Sequence, residues 1–406
     1  MITSHDIWQR NLIFFPIYAL SFSSLNLIPQ FFFLEYYPEQ KTSYLAVLLI
    51  FASFVSILGI FVAEKVKDAS FNLRYFSLFI FLICSVLTSG LFLLSHWLPY
   101  VIAFILLKFL TNIILHFLDI NFVKNTAKGH IFTHSNSSSL FQLLAIVAAS
   151  LYLGFYHQSS LLNSTVFVTT LFVCLFIAWG KIPYNLNSKE NTPVRSTSCT
   201  RITSYQKSFL LYAAIVFSAY GIFSALLMYF ISDYYTINNP EKSVGIILAL
   251  TCIAGSASIL LFSKFYANNN VINYAPRTVI IMSIINCIDL LLFIYKPFDN
   301  FLFIATLSMI TGISYGLFMT LSRLLISQFI KQDPHSAVLS IYNNLPNYSF
   351  LFGFITILLL QFLAPHLEIN SHLLSLIVIT SLFPVSLIFF RHSYIKHYQW
   401  LNSSKT

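Results

Sequence analysis

The chain has 406 residues, of which 57% are hydrophobic and 9% are charged. Soluble domains carry about 25% charged residues and keep a polar exterior, so a soluble fold could not bury this much apolar surface. Most of the chain must therefore have lipid as its solvent. This composition excludes a soluble enzyme, a secreted disulfide scaffold and a nucleic-acid-binding domain.

Membrane-spanning helices are the first elements that the sequence predicts, because apolar stretches of about 20 residues are long enough to cross a bilayer. The first stretch is too long for the apolar core of a cleavable signal peptide, so we interpret it as a membrane helix. The predicted fold class is all-α and polytopic. The twelve predicted spans are 11–34, 43–63, 75–95, 99–123, 137–156, 164–182, 208–231, 243–263, 278–296, 300–326, 340–363 and 373–390.

A polar segment divides these spans into two sets of six. It runs from Pro183 to Lys207 and is rich in Ser, Thr, Asn and charged residues. We therefore predict an N-terminal six-helix bundle over residues 1–182 and a linker over 183–207. A C-terminal six-helix bundle over 208–390 and a tail over 391–406 complete the chain.

The basic residues predict the orientation of the chain, because positively charged loops stay in the cytoplasm. If the N-terminus is cytoplasmic, nearly all of the 22 Lys and Arg residues fall on that side of the membrane. Lys41, Lys242 and Lys296 fall on the opposite side, and Lys108 lies within a span. The net charge of +9 is thus an orientation signal, and both termini are predicted to be cytoplasmic.

Two segments repeat 198 to 202 residues apart. The end of the first span, Phe31–Glu39, contains an aromatic pair, an acid, Tyr-Tyr and then Pro-Glu; the end of the seventh, Tyr229–Glu241, contains them in the same order. Interfacial aromatic belts could produce the Tyr and Phe residues by chance, but the acid and the Pro-Glu step are not typical of such belts. Parallel repeats of six helices are the construction of one large class of transporters.

This organisation resembles the major facilitator superfamily, whose members have about 400 residues and twelve helices in two sets of six. The stretch from Gly59 to Lys67 corresponds to the loop that carries the family's signature and contains its acid–base step as Glu64-Lys65. The resemblance implies two pseudo-symmetric six-helix bundles and a monomer that moves a small molecule by alternating access. It also implies that the first, fourth, seventh and tenth helices line the central pathway.

The fourth span contains the most informative polar residues, since a charge at mid-bilayer is costly and needs a partner or a cavity. Lys108, Asn112, His116 and Asp119 fall within about 80° of one another at 100° per residue. A basic residue in the fourth helix is common in the resembled family, and Lys108 is predicted to bind an anion. The alternative for Lys108 is a structural pair with a neighbouring carboxylate or carbonyl, and Asp119 could be interfacial.

Other polar residues complete the predicted cavity, although Ser, Thr and Asn also hold membrane helices together without binding a solute. His116 and Asp119 are the predicted proton carriers. Asp289, in the ninth span, favours an inter-helix hydrogen bond, with a further proton site as the alternative. Gly312 and Gly316 form a GxxxG step that predicts a close helix contact. The candidate solute-binding residues are Lys108, Asn112, Tyr18, Asn26, Gln30, Gln142, Tyr220, Ser224, Thr311, Tyr315, Asn343 and Asn347.

The function that these features favour is secondary active transport of a small anionic or zwitterionic organic solute, coupled to protons. An alternative within this class is an exporter of a siderophore-like chelator or a drug-like compound. An integral membrane enzyme that modifies lipids is a different class, but the longest loop, 183–207, contains neither His nor Asp. A channel or a non-transporting scaffold also stays open.

The sequence contains no motif that is typical of a cofactor or metal site. The sequence has no phosphate-cradling Gly-rich loop, and its five cysteines include no CxxC pair, so we expect no cofactor and no metal site. The expected partners are a small-molecule solute and the lipid bilayer, with no nucleic acid. Short outer loops and the lack of a large soluble domain favour a bacterial cytoplasmic membrane, crossed several times.

Overall fold

The computed structural model consists of helices throughout the part of the chain that it describes. The described residues are 7–8, 11–22, 27–37, 41–66, 73–94, 96–124, 131–156, 165–166, 169, 202–235, 237, 239–268, 271–298, 300–332, 338–367 and 369–403. The helices are α1 (Phe14–Phe22), α2 (Ile28–Tyr36), α3 (Lys41–Val66), α4 (Leu73–Leu93), α5 (Trp97–Lys124), α6 (Ile131–Tyr156), α7 (Ser204–Tyr229), α8 (Pro240–Asn268), α9 (Val271–Tyr295), α10 (Phe301–Gln332), α11 (Val338–Leu363) and α12 (Ser371–Ser403).

Eleven of the twelve predicted spans coincide with these helices, and the fold class is confirmed. Nine described helices are long and apolar enough to cross a membrane, and Tyr75–Leu91 of α4 is a shorter apolar stretch. Helices α1 and α2 both overlap the predicted first span, on either side of residues 23–26, which are outside the described residues. The sixth span, 164–182, lies almost entirely outside the described residues.

Several helix ends differ from the sequence-based boundaries, as α7 and α12 show. Helix α7 begins at Ser204, because Thr203 and Gln206 form a capping box that satisfies the first backbone donors of the helix. Helix α12 continues to Ser403, well beyond the predicted end at residue 390. Hydropathy marks only the part of a helix that lies in lipid, so polar extensions of this kind escape it.

The structure divides into two compact units. One is drawn from Met1–Ser196 with Asn239–Ala249, and the other from Thr197–Asn238 with Leu250–Thr406. In the first unit α3 and α4 pack against α5, and α1 packs against α6. In the second unit α7 packs against α11 and α12, while α9 packs against α10 and α12.

The GxxxG step of α10 forms a close contact with α8, which confirms the prediction from sequence. A Cβ atom at Gly312 would collide with the backbone of Thr251, and one at Gly316 would collide with the backbone of Gly255. The hydroxyl of Ser258 donates a hydrogen bond to the carbonyl of Ile313 over 3.0 Å. Small residues thus allow the two backbones to touch, as in other membrane helix pairs.

Candidate functional site

The polar stripe of the fourth span lies on α5, within the N-terminal unit. Asn112 and His116 are buried, and Lys108 is half-buried. The side chain of Asp119 lies outside the described residues. The three described members of the stripe are each one turn apart, so α5 presents a basic and hydrogen-bonding face within an apolar bundle.

Asn112 holds α5 against α3. Its Nδ2 donates to the hydroxyl of Ser56 on α3 over 3.1 Å and to the carbonyl of Lys108 over 2.7 Å. The hydroxyl of Thr111 also donates to the carbonyl of Lys108, over 3.1 Å. These contacts fix the backbone from which the Lys108 side chain extends.

The ammonium of Lys108 forms no hydrogen bond and no ion pair with any other residue that the structure describes. The structural pair considered for Lys108 therefore has no partner within this part of the chain. A cation inside a membrane protein needs a counter-charge or a polar cavity. Lys108 is in this respect suited to meet a negatively charged group of a solute.

A second polar cluster lies in the C-terminal unit, where Asp289 is only 4% exposed. The hydroxyl of Thr311 on α10 donates a hydrogen bond to Oδ2 of Asp289 on α9. The inter-helix hydrogen bond favoured for Asp289 from sequence is therefore present. One turn before Asp289, Asn286 Nδ2 donates to the hydroxyl of Tyr220 on α7 over 3.0 Å.

Aromatic rings surround the Tyr220 end of this cluster. The ring of Tyr220 meets Tyr315 edge-on at a centroid distance of 5.0 Å and Phe383 at 5.5 Å. Tyr315 lies one turn beyond Thr311 on α10. Three predicted site residues, Tyr220, Thr311 and Tyr315, are thus brought together with Asp289 in one unit.

The remaining predicted site residues are spread over other helices. Tyr18 is half-buried on α1, Gln30 is buried on α2, and Gln142 is half-buried on α6. In the C-terminal unit the hydroxyl of Ser224 donates to its own helix at Gly221, and Asn347 is half-buried on α11. Asn26 and the side chain of Asn343 lie outside the described residues.

A hydrogen-bonded cluster that the sequence analysis did not assign joins α6 to the chain just before α1. Asn11 Nδ2 donates to the carbonyl of His134 over 3.0 Å, and Asn11 Oδ1 lies 3.0 Å from His134 Nδ1. Asn11 Nδ2 also reaches the hydroxyl of Ser137. The sequence offered only one signal for this cluster: Asn11 lies at the start of the first predicted span, and His134 and Ser137 lie around the start of the fifth.

A cavity of about 390 Å³ in the C-terminal unit was also not predicted. It lies among α7, α11 and α12, and the hydroxyl of Ser218 on α7 donates to the carbonyl of Ser349 on α11 over 2.9 Å. Its walls are mainly apolar. The lining residues are Ala214, Ile215, Ser218, Ile222, Leu345, Tyr348, Ser349, Phe352, Gly353, Thr356, Val378 and Leu382.

Comparison of the sequence alone finds neither a matching family profile nor a matching curated protein. The fold, in contrast, matches solved transporters. A crystal structure of the nucleoside transporter NupG aligns with a TM-score of 0.68 and 11% identity, covering 96% of this chain and 99% of that one. The chain has the major facilitator superfamily fold.

Two further structures share the major facilitator fold with this chain. A bacterial homologue of the human lysosomal transporter Spinster, in an inward-facing and unoccupied conformation, gives a TM-score of 0.68 at 11% identity and covers 96% of both chains. A bacterial homologue of the iron transporter ferroportin, in an outward-facing state, gives 0.61 at 12% identity and covers 96% of this chain and 98% of that one. These proteins are transporters or homologues of transporters, but at such low identity they establish the fold alone.

Proposed function

We propose that the protein is a secondary active transporter that moves a small anionic or zwitterionic organic solute by alternating access. The major facilitator fold supports the transporter class. The observation that carries the choice of solute is Lys108, a half-buried cation on α5 that has no ion-pair partner among the described residues. An exporter of a chelator or drug-like compound uses the same site chemistry with the opposite direction of net flux.

The named neighbours provide two comparison solutes. NupG is a nucleoside transporter, and the other neighbour is a bacterial homologue of the iron transporter ferroportin. A free iron cation is a poor match to Lys108, because like charges repel in a medium of low dielectric. A carboxylate or a chelate with net negative charge fits the ammonium of Lys108 better. An uncharged nucleoside tests whether the solute needs a negative charge to bind.

The proposal includes coupling to a cation gradient, for which the sequence predicts protons. His116 on α5 is the imidazole within the stripe, and Asp119 and Asp289 are the candidate carboxyls. The protein is proposed to work as a monomer in a bacterial cytoplasmic membrane, with both termini in the cytoplasm. No enzymatic step and no cofactor enter this proposal.

The test is a panel of solutes scored by thermal unfolding of the purified protein. A ligand that binds the folded state raises its stability by about 2.7 kcal/mol at 100 times its Kd. The panel contains citrate, succinate, a zwitterionic amino acid, uridine, a ferric chelate and a cationic dye. Wild type, Lys108→Ala and Lys108→Arg are compared, with Lys207→Ala as the control because Lys207 is an exposed lysine at the start of α7.

We expect at least one anionic compound to stabilise the wild type and Lys207→Ala, with affinity about 10- to 100-fold lower in Lys108→Ala, since a hydrogen bond to a charged group contributes about 1.5–3 kcal/mol. Lys108→Arg should retain part of the affinity because it keeps the charge. Stabilisation by an anion that Lys108→Ala leaves unchanged would contradict the assignment of Lys108. Turnover of a lipid substrate by the purified protein would instead favour the alternative of an integral membrane enzyme that modifies lipids.

A further inference from the structure

Asp289 is a buried carboxylate, and the contacts described around it provide no positive charge to neutralise it. Oδ2 accepts the hydrogen bond from Thr311. Oδ1 is buried and has no hydrogen-bond partner among the described residues. An ionised carboxylate in an apolar interior is costly unless a cation or several donors stabilise it.

A second unpaired oxygen lies on the neighbouring helix. Ser308 is 1% exposed, and its hydroxyl has no partner among the described residues. It lies one turn before Thr311 on α10, so the two hydroxyls are on the same side of that helix. The α9–α10 contact therefore contains a carboxylate and two hydroxyl groups, with unused hydrogen-bonding capacity at Asp289 and Ser308.

No opposite charge among the described residues faces this carboxylate. The titratable group that interacts with it is the phenol of Tyr220 on α7, and a phenol is uncharged at neutral pH. Tyr315 on α10 meets the ring of Tyr220. Helix α12 also packs against α9, and it contributes the ring of Phe383 against Tyr220. The described surroundings of Asp289 thus contain aromatic rings and hydroxyls but no Lys, Arg or His.

We propose that Asp289, Thr311 and Ser308 form a binding site for a small monovalent cation, H⁺ or Na⁺, within the C-terminal unit. A single carboxylate is neutralised by one positive charge, whereas a divalent ion would leave an uncompensated charge buried in the bundle. Hydroxyl and carboxylate oxygens are hard ligands, which suit such cations. This inference rests on the proposed transport function for its role, since the bound cation is the coupling ion.

The cluster connects this site to residues predicted to bind the solute. Asn286 lies one turn before Asp289 on α9 and donates to Tyr220. Tyr315 lies one turn after Thr311 on α10, and its ring packs against that of Tyr220. Each helix that supplies the cation site therefore also contacts Tyr220.

The experiment measures cation binding to the purified, detergent-solubilised full chain with no solute present. In one series NaCl replaces N-methyl-D-glucamine chloride at constant ionic strength and pH, and in the other the pH is lowered without Na⁺. The midpoint of thermal unfolding is recorded for wild type, Asp289→Asn, Thr311→Val and Thr311→Ser. Glu241→Gln is the matched control, because it removes a carboxylate at the start of α8 that belongs to the other compact unit.

We expect the wild-type midpoint to rise in the Na⁺ series if Na⁺ is bound, or only in the pH series if H⁺ is bound. Asp289→Asn should respond in neither series, and Glu241→Gln should respond like wild type. If Na⁺ is bound, Thr311→Val should weaken the apparent Na⁺ affinity about tenfold, equivalent to about 1.4 kcal/mol. If H⁺ is bound, loss of the hydroxyl that donates to the charged carboxylate should instead move the response to higher pH. Thr311→Ser should respond like wild type in both series.

Two results would overturn the cation site. One is a wild-type protein that responds in neither series; the other is an Asp289→Asn protein that responds as wild type does. If Asp289→Asn fails to fold, the two Thr311 variants provide the test. Equal responses of Thr311→Val and Thr311→Ser would contradict the cation site. No solute is used, so failure here is separate from failure of the solute panel at Lys108.

Discussion

Asn286 on α9 and Tyr220 on α7 are joined by a side-chain hydrogen bond, with 3.0 Å between Nδ2 and the phenolic oxygen. Asn286 is 2% exposed, so its donor has no alternative partner in water. The two residues lie 66 positions apart in sequence. The bond therefore links α9 to α7 across the C-terminal unit.

Removing the Tyr220 hydroxyl should destabilise the protein. In Tyr220→Phe the buried amide of Asn286 loses its partner, and we expect a loss of about 1 kcal/mol in the free energy of unfolding. The measurement is reversible unfolding in mixed micelles. Tyr295→Phe is the control, because that side chain is 79% exposed and should change stability little. Equal effects of the two substitutions would show that the hydrogen bond contributes nothing.

The contact between Asn112 and Ser56 predicts energetic coupling between α5 and α3. A double-mutant cycle of Asn112→Ala and Ser56→Ala isolates the pair from the separate effects of each truncation. We expect a coupling energy of about 0.6 kcal/mol, the average for hydrogen bonds between membrane helices. If the effects on the free energy of unfolding are strictly additive, the Asn112–Ser56 hydrogen bond contributes nothing to stability, and Asn112 acts only through its bond to the carbonyl of Lys108.

The close approach of α8 and α10 predicts opposite effects for two Gly-to-Ala substitutions. Gly312→Ala places a methyl group against the backbone of Thr251 and should cost about 1–3 kcal/mol, as overpacking does. Gly90 in α4 has open space, since its nearest contact would be Leu94 at 4.0 Å. Gly90→Ala should therefore be neutral or stabilise the protein by about 0.5–1 kcal/mol through helix propensity. A Gly312→Ala protein as stable as Gly90→Ala would contradict the packing of α8 on α10.

The spans could be predicted from sequence because apolar length is a local property. Each of α5, α10 and α12 contains an uninterrupted apolar stretch long enough for a bilayer, and lipid leaves few alternatives to a helix. The contact at Gly312 was also predictable, because small residues four apart on one helix allow close backbone approach. In the same way, the spacing of Lys108, Asn112 and His116 placed them on one face.

The partners of the polar residues could not be predicted, because they depend on how whole helices are rotated and paired. Asn11 meets His134 across 123 residues of sequence, and Thr311 meets Asp289 only through the packing of α10 on α9. Hydrophobic periodicity, which sets helix rotation in soluble proteins, is weak when lipid and core are equally apolar.

The most direct test of the account is transport by the protein in sealed proteoliposomes. The solute is the radiolabelled anion that stabilises the wild type most in the panel, and an inward cation gradient is imposed across the vesicle membrane. We expect saturable accumulation above the external concentration, collapse on addition of an ionophore, and loss in Lys108→Ala but not in Lys207→Ala. Non-saturable flux that only equilibrates the solute, or no flux in either direction of the gradient, would contradict a secondary active transporter.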